Sequence, residues 1–332
     1  MKNSQISVLV SVIVTSYNHS QYLTRRMDSL LNQSYENIEV IAIDDCSTEN
    51  NVEILRRYES HPKVRLVVQE KNLGLVQSMN KGIELSSGQY VLVAQCDDDC
   101  APQMIQCLVA ALQTQPSAGM AFCRSQLIDG LDKNLGEDIV DMERTFQRRC
   151  ADDTLLSSAE MSRFLLYACV IPNMSALLMR RDCLDEIGGI TEEFAVCVDW
   201  DLFFRTAKKY DFAYVAKPLN RFRQHANSIR STTKSRITYE EYLRLLLSQI
   251  RTLDLTLLER ARFRTRVMYL WAVHLLPPTR VGLWNFPFHL GVVIKYDAFA
   301  IVFLWLGLAI RAFQIFAKVI FGRNLARKII GA

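Results

Sequence analysis

The chain lacks the phosphate-gripping signatures of the commonest nucleotide enzymes. No G-x-G-x-x-G follows its first apolar run, and no G-x-x-x-x-G-K-[ST] occurs in it. That argues against the usual dinucleotide and P-loop NTPase readings. C-x-x-C pairs are also missing. Nine cysteines lie scattered from Cys46 to Cys197, and no His stands beside Cys96 and Cys100 to complete a zinc set. Scattered, unpaired thiols suit a reducing compartment, the cytoplasm. A strong charge excess is absent too. The net charge of +4 over 332 residues is too mild for a dedicated nucleic-acid binder. The apolar start, Ile6–Thr15, has only Lys2 before it and leads into Ser16-Tyr17-Asn18 instead of a small-residue cleavage site. It therefore reads as a first strand and not as a signal peptide.

Half of the residues are apolar, and the length suits one large α/β domain with an appendage, or two domains. Apolar runs alternate with helical patterns. Ser7–Val14, Ile38–Ile43, Val64–Val68, Tyr90–Ala94 and Ala118–Cys123 read as strands. Between them, Ser20 is expected to cap a helix carrying Leu23, Met27, Leu30 and Leu31 on one face. Val52–Tyr58, Leu73–Leu85 and Pro102–Gln113 follow as further helices. This order predicts a doubly wound, mostly parallel sheet with helices on both faces. Ligands bind such sheets at the carboxyl ends of the strands. Thr15–Asn18, Asp44-Asp45 and Asp97–Asp99 fall on that rim.

The triplet Asp97-Asp98-Asp99 is the sharpest chemical feature. Adjacent carboxylates repel, so they need a neutralising partner. Either they form a solvated helix-capping turn, or they hold a hard divalent cation whose remaining ligands are phosphate oxygens. From Arg124 to Asp153 the pattern dissolves into polar sequence, as in a functional loop or insertion. Further on, a helix is expected from Asp199, and Phe212–Val215 reads as a last strand.

Several pieces together resemble the family 2 glycosyltransferases of GT-A fold. They are Val-Ser-Val-Ile-Val-Thr-Ser-Tyr-Asn at 10–18, Asp-Asp-Cys-Ser at 44–47, Asn72-Leu73-Gly74, Asn80-Lys81-Gly82, Gly88, Cys96-Asp97-Asp98, Gly188-Gly189, Asp199-Trp200-Asp201-Leu202 with Arg205, and Arg223–Ser228. The resemblance covers roughly Ser7 to Ile229. It implies an inverting transfer of sugar from a nucleotide-diphosphate donor, a UDP- or dTDP-sugar, to an acceptor hydroxyl. Thr15, Tyr17 and Asn18 would lie at the nucleotide, with the Tyr17 ring stacked on the base. Asp45 would accept from a pyrimidine N–H, and Asp97 would meet the ribose or share the metal. Asp98 would ligate Mn²⁺ or Mg²⁺, with His225 near the diphosphate or metal. Asp199 would be the general base that deprotonates the acceptor, and Asp99 would cap the helix at Pro102. Gln95, Met79, Val198 and Ile190-Thr191 depart from the family pattern. A nucleotidyltransferase would need a Gly-rich loop with a basic residue after the first strand, which Thr15–His19 lacks. A lipid-phosphate sugar synthase and a non-catalytic scaffold of the same fold stay open.

The chain is expected to divide into a catalytic domain at 1–230, a helical extension at 231–280 and a tail at 281–332. The tail holds an apolar run of thirteen residues, Ala298–Ile310, short of the roughly 20 that a span needs. Arg311, Lys318, Arg323, Arg327 and Lys328 follow with no acid among them. A basic amphipathic tail suits an anionic membrane interface. A helix packed on protein, or a tilted span, are the alternatives. The expected place is the cytoplasmic face of the inner membrane, peripheral or monotopic, with a glycan or lipid-linked acceptor.

Overall fold

In the computed structural model, residues 7–138, 144–225, 235–276 and 280–316 are described. The chain forms two compact units, residues 1–231 and 232–332. The first is built on one mixed sheet. Strands β1 (Val10–Ser16), β2 (Ile38–Asp44), β3 (Val64–Val68) and β4 (Tyr90–Gln95) lie parallel in the order β3-β2-β1-β4. The apolar runs of β1, β2 and β4 suit strands covered on both faces, while the edge strand β3 is partly exposed. Helices α1 (Ser20–Leu31), α2 (Asn51–Arg56) and α3 (Leu75–Leu85) make the crossovers. Leu23, Met27 and Leu30 of α1 are fully buried against the sheet. Ser20 does not cap that helix. It is the first helical residue, and its N–H and hydroxyl both donate to Glu49.

Beyond β4 the sheet becomes mixed. The two-residue β5 (Asp99–Cys100), helix α4 (Met104–Thr114) and the long β6 (Ala118–Ile128) come next in the chain. β9 (Leu177–Arg180) sits antiparallel between β4 and β6. β10 (Asp211–Arg223) runs parallel to β6, and β5 pairs with its far end. The stretch after Arg124 is more regular than its polar sequence suggests. β6 continues to Ile128, pairs with β7 (Asn134–Glu137), and is followed by α5 (Arg144–Arg149) and β8 (Thr154–Leu156). Its polar residues are held by a partner strand. Ser125 Oγ accepts from Asn220 Nδ2 at 2.9 Å, and Ser125 N–H donates to Asp138 at 2.7 Å. Helices α6 (Ser158–Tyr167), α7 (Arg181–Glu186) and α8 (Val198–Ala207) complete the unit.

Gly88 shows why the sheet needs glycine before β4. A Cβ there would stand 2.6 Å from the Ser11 backbone nitrogen, so only glycine permits the approach.

The second unit packs three helices, α9 (Ser235–Thr252), α10 (Leu257–Leu275) and α11 (Arg280–Asp297), with a 3₁₀ segment (Ala298–Phe303) and a helix at 304–316. The helices of the expected extension and of the expected tail share this one unit. Trp284–Phe316 is long and apolar enough to cross a membrane, but Asp297 breaks it with a non-helical backbone (φ −159°, ψ 83°). Arg264 holds the Asp297 carboxylate at 2.7 Å. Lys318, Arg323, Arg327 and Lys328 lie outside the described residues, as do Ala226, Asn227 and Ser228 of the Arg223–Ser228 motif.

Candidate active site

A cleft of about 440 Å³ opens at the carboxyl ends of β1, β2 and β4. That is large enough for a small organic ligand. Thr15, Tyr17, Asp45, Asp97, Asp199 and His225 all line it. Thr15 ends β1 beside Ile43 and Gln95 of the flanking strands. Its Oγ1 is buried and has no hydrogen-bond partner among the described residues, so it is available to a ligand. Tyr17 leaves its ring 44% exposed on the rim.

Asn18 does not line the cleft and instead ties two loops together. It adopts positive φ (51°), tolerable for Asn, and its Oδ1 accepts from Thr48 N–H at 2.9 Å while its N–H donates to Ser47 Oγ. Asp45 is buried. It accepts from Leu73 N–H at 2.7 Å, Gly74 N–H at 2.9 Å and Gln69 Nε2 at 2.9 Å. It thereby folds the Asn72-Leu73-Gly74 loop over the cleft. Gly74 (φ 87°) precedes α3 in a conformation that side chains resist.

The three aspartates divide by direction. Asp97 faces the cleft, and its Oδ2 lies 2.8 Å from His225 Nε2. Burial opposes its charge, but the His225 hydrogen bond and the nearby His19 and His225 charges outweigh burial and hold the carboxyl below its ordinary value. Asp98 points inward. It accepts from Asn173 Nδ2 at 2.6 Å and from Arg223 N–H at 2.9 Å. Burial first, and the neighbouring Asp97 charge second, push it up to about 7. Asp98 is therefore poorly placed to meet an ion in the cleft, and Asp97 is the member that can.

Asp99 is not a helix cap. It pairs with β10 through β5, and its carboxylate is taken by Arg25 at 2.7 Å and Arg221 at 3.1 Å. α4 begins only at Met104, with no side-chain cap. The partners that the triplet demands are Arg25 and Arg221 at Asp99 and His225 at Asp97, with Arg223 behind them. This buried residue donates through Nε to the Asp97 carbonyl at 2.7 Å and lies 3.7 Å from Asp99. Its guanidinium also stacks on Tyr22, 4.5 Å from the ring centre.

Asp199 sits in the first turn of α8, half-buried on the cleft, and accepts from Trp200 N–H at 2.8 Å. Asp201 turns away to a buried pair with Arg205 at 2.8 Å. Asp199 is thus the acid of that pair on the cleft, where a carboxylate can reach an acceptor hydroxyl.

The residues missed in the sequence are His19, Asn173 and Arg223 as a scaffold. His19 follows Asn18 directly and lines the same cleft. Ligand atoms of His19, Asp97 and His225 all lie within 4.8 Å of one another. One carboxylate and two imidazoles fit a divalent cation, and a buried, unpartnered His19 Nε2 completes the fit.

Residues 11–171 match the family model described as Glycosyl transferase family 2. Glycosyltransferase GlyG of Streptococcus pneumoniae serotype 4 is 37% identical over 109 residues, 32% of this chain and 36% of that protein. The putative teichuronic acid biosynthesis glycosyltransferase TuaG of Bacillus subtilis is 40% identical over 91 residues, 27% of this chain and 36% of that protein. The aligned part thus spans about a third of the length of these curated relatives. The solved structure of S. aureus TarS 1–349 with UDP-GlcNAc superposes with a TM-score of 0.68 at 17% identity, over 89% of this chain and 83% of that one. The fold is therefore of GT-A type, and residues 11–171 are similar to a glycosyltransferase family 2 domain.

Proposed function

We propose that this enzyme transfers a sugar from a nucleotide-diphosphate donor to an acceptor hydroxyl with inversion. The carrying observation is the cleft that gathers Thr15, Tyr17, Asp97, His225 and Asp199 at the carboxyl rim of the parallel strands. Tyr17 and Thr15 receive the base, by stacking and by the unpartnered hydroxyl. Asp45 shapes the loop over the base and offers its remaining lone pairs to a pyrimidine N–H. Asp97 and His225 hold Mn²⁺ or Mg²⁺, so Asp97 takes the ligand role that the resemblance gave to Asp98. Such an ion supplies Lewis-acid neutralisation of the leaving diphosphate. Asp199 accepts the proton of the acceptor hydroxyl as it attacks the anomeric carbon, and one displacement inverts that carbon. A UDP- or dTDP-sugar is the favoured donor, and the UDP-GlcNAc bound by TarS supports that choice.

The acceptor belongs to a cell-surface or lipid-linked glycan. TuaG's assignment to teichuronic acid biosynthesis supports the first part. The helical unit supports the second, because its 304–316 helix is built inside out. Leu304, Gly307 and Gln314 are buried, with Gln314 accepting from Tyr269 OH and Arg311 donating to the Leu276 carbonyl. A Cβ on Gly307 would stand 2.8 Å from the Met268 backbone, so the two helices touch at that point. The outer face carries Trp305 (77% exposed), Leu306, Phe313 and Phe316, and Val302 of the preceding 3₁₀ segment is exposed as well. Polar side chains turned in and aromatic ones turned out suit a helix lying in a lipid interface. The break at Asp297 favours lying on the membrane over spanning it. Nine free thiols suit the cytoplasmic face.

Incubating the full chain with Mn²⁺ and a panel of UDP-, dTDP- and GDP-sugars tests the reading through release of the nucleoside diphosphate. Turnover of a uridine or thymidine donor is expected. Turnover of none, with the protein folded, would overturn it.

A further inference from the structure

We propose that His19 is a third protein ligand of the divalent cation, and that the resulting two-imidazole, one-carboxylate set makes the site select Mn²⁺ over Mg²⁺. This rests on the glycosyl-transfer reading of the cleft and narrows it. His19 immediately precedes α1, where the first strand gives way to the helix. Its Nδ1 lies 2.9 Å from the Tyr17 carbonyl oxygen. A carbonyl can only accept, so Nδ1 carries a proton and, in the neutral ring that a metal ion requires, Nε2 keeps its lone pair. That Nε2 is buried and has no hydrogen-bond partner among the described residues. A role in the turn alone accounts for Nδ1 but leaves Nε2 as an uncompensated buried acceptor.

The surroundings of Nε2 point to a cation. The His19 ring meets the His225 ring edge-on, 5.4 Å between centres. The ligand atoms of His19, Asp97 and His225 are within 4.8 Å of one another. Bonds of about 2.1 Å from one ion allow two ligands to stand about 4.2 Å apart. A span of at most 4.8 Å is near that limit, so a contraction of the cluster brings all three within reach of one ion. An imidazole whose second nitrogen donates to a backbone carbonyl is also the usual arrangement of a ligating histidine, since that bond fixes both tautomer and ring direction. Both rings come from segments fixed by other contacts. Asn18 is tied to the loop after β2, and His225 follows Arg223, whose N–H donates to Asp98.

The donor set decides the metal. Mg²⁺ demands oxygen ligands in near-ideal octahedral geometry and keeps most of its waters. Imidazole nitrogen favours the transition ions, whose affinity for a nitrogen-containing site exceeds that of the hard alkaline-earth ion. A site with one carboxylate and one imidazole would discriminate little. A second imidazole adds discrimination without altering the charge of the site.

The test uses the full chain with Mn²⁺ alone and then with Mg²⁺ as competitor. Electron paramagnetic resonance of free Mn²⁺ gives the affinity, and pulsed measurements count the ¹⁴N nuclei coupled to the bound ion. Two nitrogens are expected in the parent protein and one in His19→Ala. Mn²⁺ affinity should fall about tenfold or more, while the Mg²⁺ competition constant changes far less, so that the preference between the ions shrinks. His19→Gln can still donate to the Tyr17 carbonyl but has no nitrogen lone pair. It too should show one nitrogen, which separates loss of a ligand from loss of the turn. An unchanged nitrogen count in both variants, or equal losses of Mn²⁺ and Mg²⁺ affinity, would overturn the proposal. If the parent protein binds Mn²⁺ through one nitrogen and still transfers sugar, only this inference fails. If it binds neither Mn²⁺ nor nucleotide, the transfer reading fails as well.

Discussion

In the catalytic unit, several charges are buried and partnered; in the helical unit, polar groups also turn inward, but several large apolar side chains turn out. Asp98, Asp99 and Arg223 sit almost wholly inside the first unit, and Arg223 alone engages the Asp97 carbonyl, Asp99 and Asp132. Buried charge is costly unless paired, so a cluster of this kind is kept for what it positions. Here it presents one carboxylate, Asp97, to the cleft. In the helical unit, Gln314, Asp297 and His289 are buried while Trp284, Trp305 and Phe313 are exposed. An arrangement that water penalises makes sense against lipid. One unit thus spends polar burial on a reaction centre, and the other leaves an apolar face for a surface.

The largest effect should come from the catalytic unit. Asp199→Asn keeps the shape of the α8 turn and removes the proton acceptor. The kcat for transfer should fall about 10³-fold, with the KM for the donor little changed. Activity within twofold of the parent would remove Asp199 from the reaction. In the helical unit, Trp305→Glu with Phe313→Glu should cut flotation with anionic phospholipid vesicles about tenfold and leave turnover of a soluble acceptor unaltered. Unchanged flotation, or a change in oligomeric state instead, would mean that the outer face meets protein.

A smaller effect separates the units by pH. Burial holds His274 below its ordinary value, and for His289 burial, helped by the nearby His274 and Arg236 charges, outweighs the opposing hydrogen bond to the Arg236 carbonyl. A histidine whose folded value lies below its unfolded one takes up its proton more readily when unfolded. Stability is therefore full above about pH 6.5 and is lost as pH falls through that value. The thermal unfolding midpoint of the helical unit, which holds three of the four tryptophans, followed by tryptophan fluorescence in Trp200→Phe, should drop between pH 7 and pH 5. His289→Phe should flatten the drop; an unchanged slope would show that these rings do not control it.

Much of the fold could be read from the residues. β1, β2 and β4 are continuous runs buried on both faces, and periodicity alone marks them. The boundaries of β6 and β10 could not be read this way, because Arg124, Ser125, Asn220 and Arg221 are polar residues inside strands: Glu137 holds Arg124, Ser125 and Asn220 hold each other, and Asp99 holds Arg221. In the cleft, Tyr17, Asp97, Asp199 and His225 were legible by position in a motif. The division of labour within Asp97-Asp98-Asp99 was not, since it depends on which carboxylate the alternation of the chain aims at Arg223 and which at the cleft. His19 was invisible for a related reason. One histidine in a polar turn gains meaning only when a second, 206 positions later, packs against it.

Calorimetric titration of UDP into the full chain with Mn²⁺ tests the central claim most directly, run on the parent, Asp97→Ala and Asp98→Asn. The account predicts binding that EDTA abolishes, a loss of about tenfold or more in Asp97→Ala, and near-parent affinity in Asp98→Asn. UDP binding that is indifferent to EDTA, or that survives in Asp97→Ala and vanishes in Asp98→Asn, would contradict it.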